Sequence, residues 1–255
     1  MKNYNNIEMM KKPKTKQVKS KQIEEWISEG RAVLRNDLTP EHLKGWPDNY
    51  YLFDDVGLII RDTIERKNGI LYEEYSEYLI FSAKNRERAK RAEQSSISPD
   101  ASFPGYIQVT VKEFETMIAT SDKLLATEFS ISPDVLDYSM PSLIYLDKAI
   151  KKVLRKFDYG DFDEKYAVLI SAYCGEVMRR KIDGTWKITG NADGMLNQIL
   201  VVEKNNPEYS YRPQMPIALI LSGDAPKGSN LKIEVDAQLY KYGFIKGNEE
   251  HYGIK

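Results

Sequence analysis

Between Pro141 and Phe157 the apolar residues Leu143, Leu146, Ile150, Val153, Leu154 and Phe157 recur mostly at intervals of three and four, the spacing of one face of an α-helix. A stripe of that width is stable only when a second layer covers it. Residues 163 to 181 supply a further helical pattern directly after the loop "DYGDFD". Ser139 or Met140 serves as cap of the first helix, and Pro141 fits its first turn, where a missing N–H costs nothing. This pair commits the C-terminal part of the chain to helix packing.

Around the pair, residues 105–255 read as one α+β domain. Thr110 and Glu113 form a T-x-x-E capping box ahead of Phe114, Met117, Ile118, Leu124 and Leu125, so a helix starts near Val111. Trp186 and Ile188 alternate with lysine and threonine before "NADG" and "QILVV", the pattern of an antiparallel hairpin. Periodicity leaves "MPIALIL" open between a buried strand and a short helix, and leaves residues 229–242 equally open between helix and strand.

Residues 94–104, "QSSISPDASFP", have the composition of a linker or loop. Ahead of them, residues 20–93 read as a helical N-terminal part. A first helix carries Ile23, Trp26, Ile27, Ala32, Val33 and Leu34, and Thr39-Pro40 caps a short second one. Leu52, Phe53, Val56, Ile59, Ile60 and Ile64 mark a third, stopped at Asn68-Gly69, and a fourth runs from Leu71. The expected fold class is α+β, helix-dominated, with an antiparallel hairpin or small sheet in the C-terminal part.

Charge is divided unevenly along the 255 residues. Residues 1–22 hold seven lysines and one acid, a balance of +6, and the chain total of -1 leaves -7 for the remainder. Residues 1–19 have too little apolar surface to offset ordering entropy and read as a disordered basic arm. Such an arm can associate with nucleic acid by counterion release, whereas the acidic body suits a basic protein partner. No apolar run approaches the roughly 20 residues of a membrane span, and no hydrophobic segment follows the early lysines, so a cytoplasmic protein without membrane contact is expected. Cys174 is the single cysteine, which excludes an internal disulfide and a multi-cysteine zinc site. "DYGDFDE" lacks the register of a calcium loop, and "GDAPKGSN" lacks the lysine that should follow Gly228 in a phosphate loop. Neither metal nor cofactor is expected.

The stretch "AYCGEVMRRKIDGTWKI", residues 172–188, concentrates the remaining chemistry. Glu176 precedes Arg179 and Arg180 by three and four residues, the favourable orientation for an intrahelical ion pair. Gly175 in a helix costs about 1 kcal/mol relative to alanine, a cost that close approach of a neighbour explains. Asp183-Gly184 turns the chain so that Trp186 folds back over the helix. The alternative places Glu176, Arg179 and Trp186 in a cleft, as general base, anion holder and lid of an enzyme or ligand site. No nucleophile motif accompanies them, so no catalytic residue is assigned. The candidate partner-binding residues are Glu176, Arg179, Arg180 and Trp186, together with Tyr72 and Tyr75 from the tyrosine-rich N-terminal part.

The run "DYSMPSLIYLDKAI", followed by "AYCGEVMRRKIDGTW", resembles the pattern of small bacterial domains of unknown function of the DUF3806 type. The resemblance covers about residues 137–221. It implies a bacterial accessory or immunity-like protein and carries over no catalytic residue. The expected function is a non-enzymatic protein-binding protein, of the immunity type that sequesters a bacterial toxin. An enzyme or small-ligand domain built on Glu176, Arg179 and Trp186 is the alternative, and nucleic-acid association through the lysine arm is the second.

Overall fold

The computed structural model describes residues 9–40, 44, 48–62, 68–94, 101–103, 107–205, 207, 209–222 and 226–241. Its described residues form seven α-helices and two antiparallel sheets, an α+β fold dominated by helix. They pack as two compact units, one made of the described residues between 10 and 91 and the other of Met9 with the described residues from 92 onward.

In the first unit, β1 (Thr15–Lys19), α1 (Ser20–Ser28), β2 (Ala32–Leu34), β3 (Asp48–Phe53), β4 (Gly57–Asp62), β5 (Asn68–Tyr72) and the start of α2 (Tyr75–Gln94) follow in order. The strands form an antiparallel sheet in the order β1-β5-β4-β3-β2. The helical reading of residues 20–93 is therefore corrected to a sheet with two helices. Of the third helix, assigned to residues 52–64, the described residues 52–62 belong to the β3–β4 hairpin, with Asp54 and Asp55 in its turn at φ 47° and 60°. Aspartate tolerates this left-handed region better than most residues. Both faces of the sheet are covered, which explains the misreading. Tyr51, Ile59 and Leu71 pack with Ile23 of α1 on one side, and Tyr50 and Leu58 pack with Tyr78 of α2 on the other. Consecutive residues are then apolar, and period-two alternation vanishes.

Three further readings change in this unit. Ala32, Val33 and Leu34 are not part of the first helix, which ends before Gly30 at φ 73°, but form β2. Gly69 does not stop a helix; a Cβ on it would meet Ile23 Cδ1 at 2.8 Å, so it lets α1 approach the sheet. The basic arm is also shorter than residues 1–19, because Thr15–Lys19 pairs with Tyr72–Asn68 as an edge strand. Lysines suit such an edge, since they blunt pairing with other chains. Residues 1–8, and most of the short helix expected after Thr39-Pro40, lie outside the described residues.

The second unit contains α3 (Val111–Phe129), α4 (Ser142–Leu154), α5 (Tyr159–Lys181), β6 (Gly184–Gly190), β7 (Leu196–Glu203), β8 (Ser210–Tyr211), α6 (Met215–Ser222) and α7 (Leu231–Lys241). Thr110 accepts the Glu113 N–H while the Glu113 carboxylate accepts the Thr110 N–H, the capping box read from the sequence. The hairpin around "NADG" is β6–β7, extended by the two-residue β8. Helix α5 begins earlier than residue 163, because Asp158 caps it by accepting the Asp161 N–H. Every residue from Tyr166 to Met178 is buried, and α3, α4, α6, α7, β6 and β7 all pack on this helix. "MPIALIL" belongs to a helix, α6. Residues 231–241 are helix too: Leu231, Val235 and Leu239 are buried at four-residue spacing, while Ile233 is exposed where an alternating strand would bury it.

Candidate functional site

The C-terminal turns of α5 carry three of the six residues proposed from the sequence, Glu176, Arg179 and Arg180, and the strand that follows, β6, carries a fourth, Trp186. Gly175 faces Trp186 of β6 so closely that a Cβ there would lie 2.7 Å from Trp186 Cζ2 and 2.9 Å from Pro213 Cγ. The glycine is a seat for the indole. Phe114 of α3 meets the same indole edge-on, with ring centroids 5.6 Å apart. So held, Trp186 Nε1 donates to Glu176 Oε2 at 3.3 Å.

Glu176 is buried and accepts three more hydrogen bonds. Arg179 grips it with two, Nε to Oε2 at 2.8 Å and Nη2 to Oε1 at 2.7 Å, and Arg180 Nε donates to Oε1 at 2.9 Å. Burial by itself would raise the carboxyl pKa, but the donors from Arg179, Arg180 and Trp186 outweigh it and hold the group below the ordinary carboxylate range. The hydrogen bond to Glu176 likewise raises Arg179 above its ordinary value. One carboxylate thus sits among three donor side chains, with both oxygens occupied. A general base must instead accept a proton from a substrate.

A tyrosine relay adjoins this cluster. The Arg180 guanidinium lies 4.1 Å from the centroid of Tyr138, and Tyr138 stacks on Tyr173 at 4.8 Å and 25°. Tyr138 sits at φ 61°, and its hydroxyl donates to Asp122 Oδ1 at 3.0 Å. The Tyr173 hydroxyl accepts the Tyr138 N–H at 3.2 Å and lies 2.6 Å from Ser142 Oγ, which donates to the Ser139 carbonyl. Burial pushes the Tyr173 phenol up to about 12 and the Cys174 thiol up to about 12. Asp147 ends the same motif: it accepts the Leu231 N–H at the head of α7 and pairs with Lys151 at 2.9 Å. The residues of "DYSMPSLIYLD" and "YCGEVMRRKIDGTW" are therefore brought together as a polar and aromatic seam that joins α3, α4, α5, α7 and β6. Tyr138, Tyr173 and Ser142 were not among the candidate residues, although the first motif itself contains two of them.

The other two candidates lie in the first unit. Tyr72 meets Tyr78 edge-on at 4.9 Å, and Tyr75 packs beside them against the sheet. Burial raises the pKa of both Tyr72 and Tyr75. Both residues are half-buried.

Among the described residues no three His, Cys, Asp or Glu side chains converge as a metal site, and no helix is long and apolar enough to cross a membrane. Gly223 of "GDAPKGSN" lies outside the described residues. No family model, curated protein or solved structure matches the chain.

Proposed function

We propose that the chain is a non-enzymatic protein-binding protein of the bacterial cytoplasm, of the immunity type, which sequesters a basic toxin. The observation that carries the reading is on α2. Leu79 and Ile80 are 42% and 62% exposed immediately after Tyr75 and Tyr78, which hold the helix to its sheet. Tyrosine is enriched at protein interfaces, whose buried centres are more apolar than the rest of the surface. The charge of -7 carried beyond residue 22 supports a basic partner, since complementary fields speed encounter and suppress wrong partners. The Glu176 cluster, whose carboxylate already has donors on both oxygens, supports a scaffold rather than a reaction centre, and the likeness of residues 137–221 to DUF3806-type domains supports the bacterial setting.

Affinity purification of the tagged full chain from its native cells at low salt, read by mass spectrometry, tests this. A small basic protein is expected to co-purify, to be released as salt rises, and to be lost with a folded Ile80→Asp variant. Absence of any partner at low salt, or equal retention by Ile80→Asp, overturns the reading.

A further inference from the structure

We propose that the cavity between the N-terminal half of α5 and α6 binds a small apolar molecule carrying a neutral or cationic nitrogen donor. The cavity measures about 330 Å³, within the range of natural ligand pockets. Phe103, Ala167, Ile217 and Leu221 give it apolar walls.

Its polar lining is what defines the ligand. Gln214, just ahead of α6, lines the cavity and is 8% exposed, yet its Oε1 has no hydrogen-bond partner. A buried amide oxygen left unsatisfied is costly, and folded proteins hold few of them. The terminal amide torsion of glutamine is soft, so a donor entering the cavity can turn this oxygen toward itself. Asp163 also lines the cavity, and no lysine, arginine or histidine does so among the described residues. A carboxylate or phosphate ligand would bring a further acceptor to the Gln214 oxygen and would meet no lysine, arginine or histidine among the described lining residues. An amine or amide presents an N–H group to that oxygen. This site shares no residue with the Glu176 cluster and does not depend on the protein-binding reading.

Titration of the isotope-labelled full chain with phenethylamine, phenylacetamide and phenylacetate, followed by methyl NMR, tests the proposal. Saturable shifts at Ala167, Ile217 and Leu221 are expected with the first two probes, and binding of phenylacetate is expected to be weaker by about tenfold or more. Ala218 is exposed and lines the cavity, so Ala218→Trp should obstruct entry without disturbing the core. Gln214→Leu is expected to raise the unfolding midpoint, because the orphan oxygen is gone, while weakening phenylacetamide several-fold. The proposal is overturned if neither nitrogen probe saturates at millimolar concentrations, if phenylacetate binds equally well, or if Ala218→Trp and Gln214→Leu both leave the shifts unchanged.

Discussion

At Gly175 two effects of opposite sign can be separated by one substitution. Helix propensity favours Gly175→Ala by about 1 kcal/mol. Packing opposes it, because the new Cβ would fall inside the contact distance of Trp186 Cζ2 and Pro213 Cγ. Overpacking a filled site costs about 1–3 kcal/mol. Net destabilisation is therefore expected in urea unfolding, and a stabilised variant would show that the indole is not seated there. Glu176 is open to a test by pH. Its pKa is lower in the folded state than in the unfolded chain, so the folded form holds fewer protons in acid. The corresponding stability is complete above the ordinary carboxylate range, near about 4.3, and disappears as pH falls through the folded value. In Glu176→Gln the acid limb of the stability curve should be flatter than in the parent chain; identical limbs would show that the arginine cage contributes nothing. The Glu176–Arg180 ion pair was legible in the i,i+4 spacing alone. The Tyr138–Tyr173 stack was not, because it joins residues 35 positions apart through a backbone turn at positive φ.

Among the elements, those with a local start signal were read most closely. Helix α3 begins where Thr110 and Glu113 cap each other, and Thr110→Ala is expected to cost about 0.5–2 kcal/mol, measured as a loss of unfolding free energy in urea. No loss would mean that burial of Phe114, Met117 and Leu125 alone decides that helix. Strands β3 and β4 carried a turn signal of their own at Asp54-Asp55, but apolar residues on both faces gave them spacings that a helix shares. Helix α6 posed the same ambiguity in reverse, since seven apolar residues in a row have no distinguishable face. Where an element is buried on one side, as α4 is, its pattern identifies it. Where an element is apolar all round, only its neighbours do.

At the scale of the whole molecule, the two compact units have separate cores. Gly69→Ala would push a Cβ against Ile23 Cδ1 in the first unit, whereas Gly175→Ala crowds Trp186 in the second. Hydrogen exchange on the full chain is expected to show each substitution lowering protection in its own unit and sparing the other. Uniform loss across both units would mean that they unfold as one. The amino-acid sequence by itself determined the capped helix α3, the one-sided helix α4, the β6–β7 hairpin and the Glu176–Arg180 pair, because each depends on residues within a few positions of one another. Tertiary structure alone decided that Asp48–Phe53, Gly57–Asp62 and Asn68–Tyr72 are strands, that α5 is enclosed from Tyr166 to Met178, and that two motifs some 35 residues apart close into one seam around Trp186. Those outcomes depend on which surfaces are covered, and coverage is a property of distant contacts that no local period records.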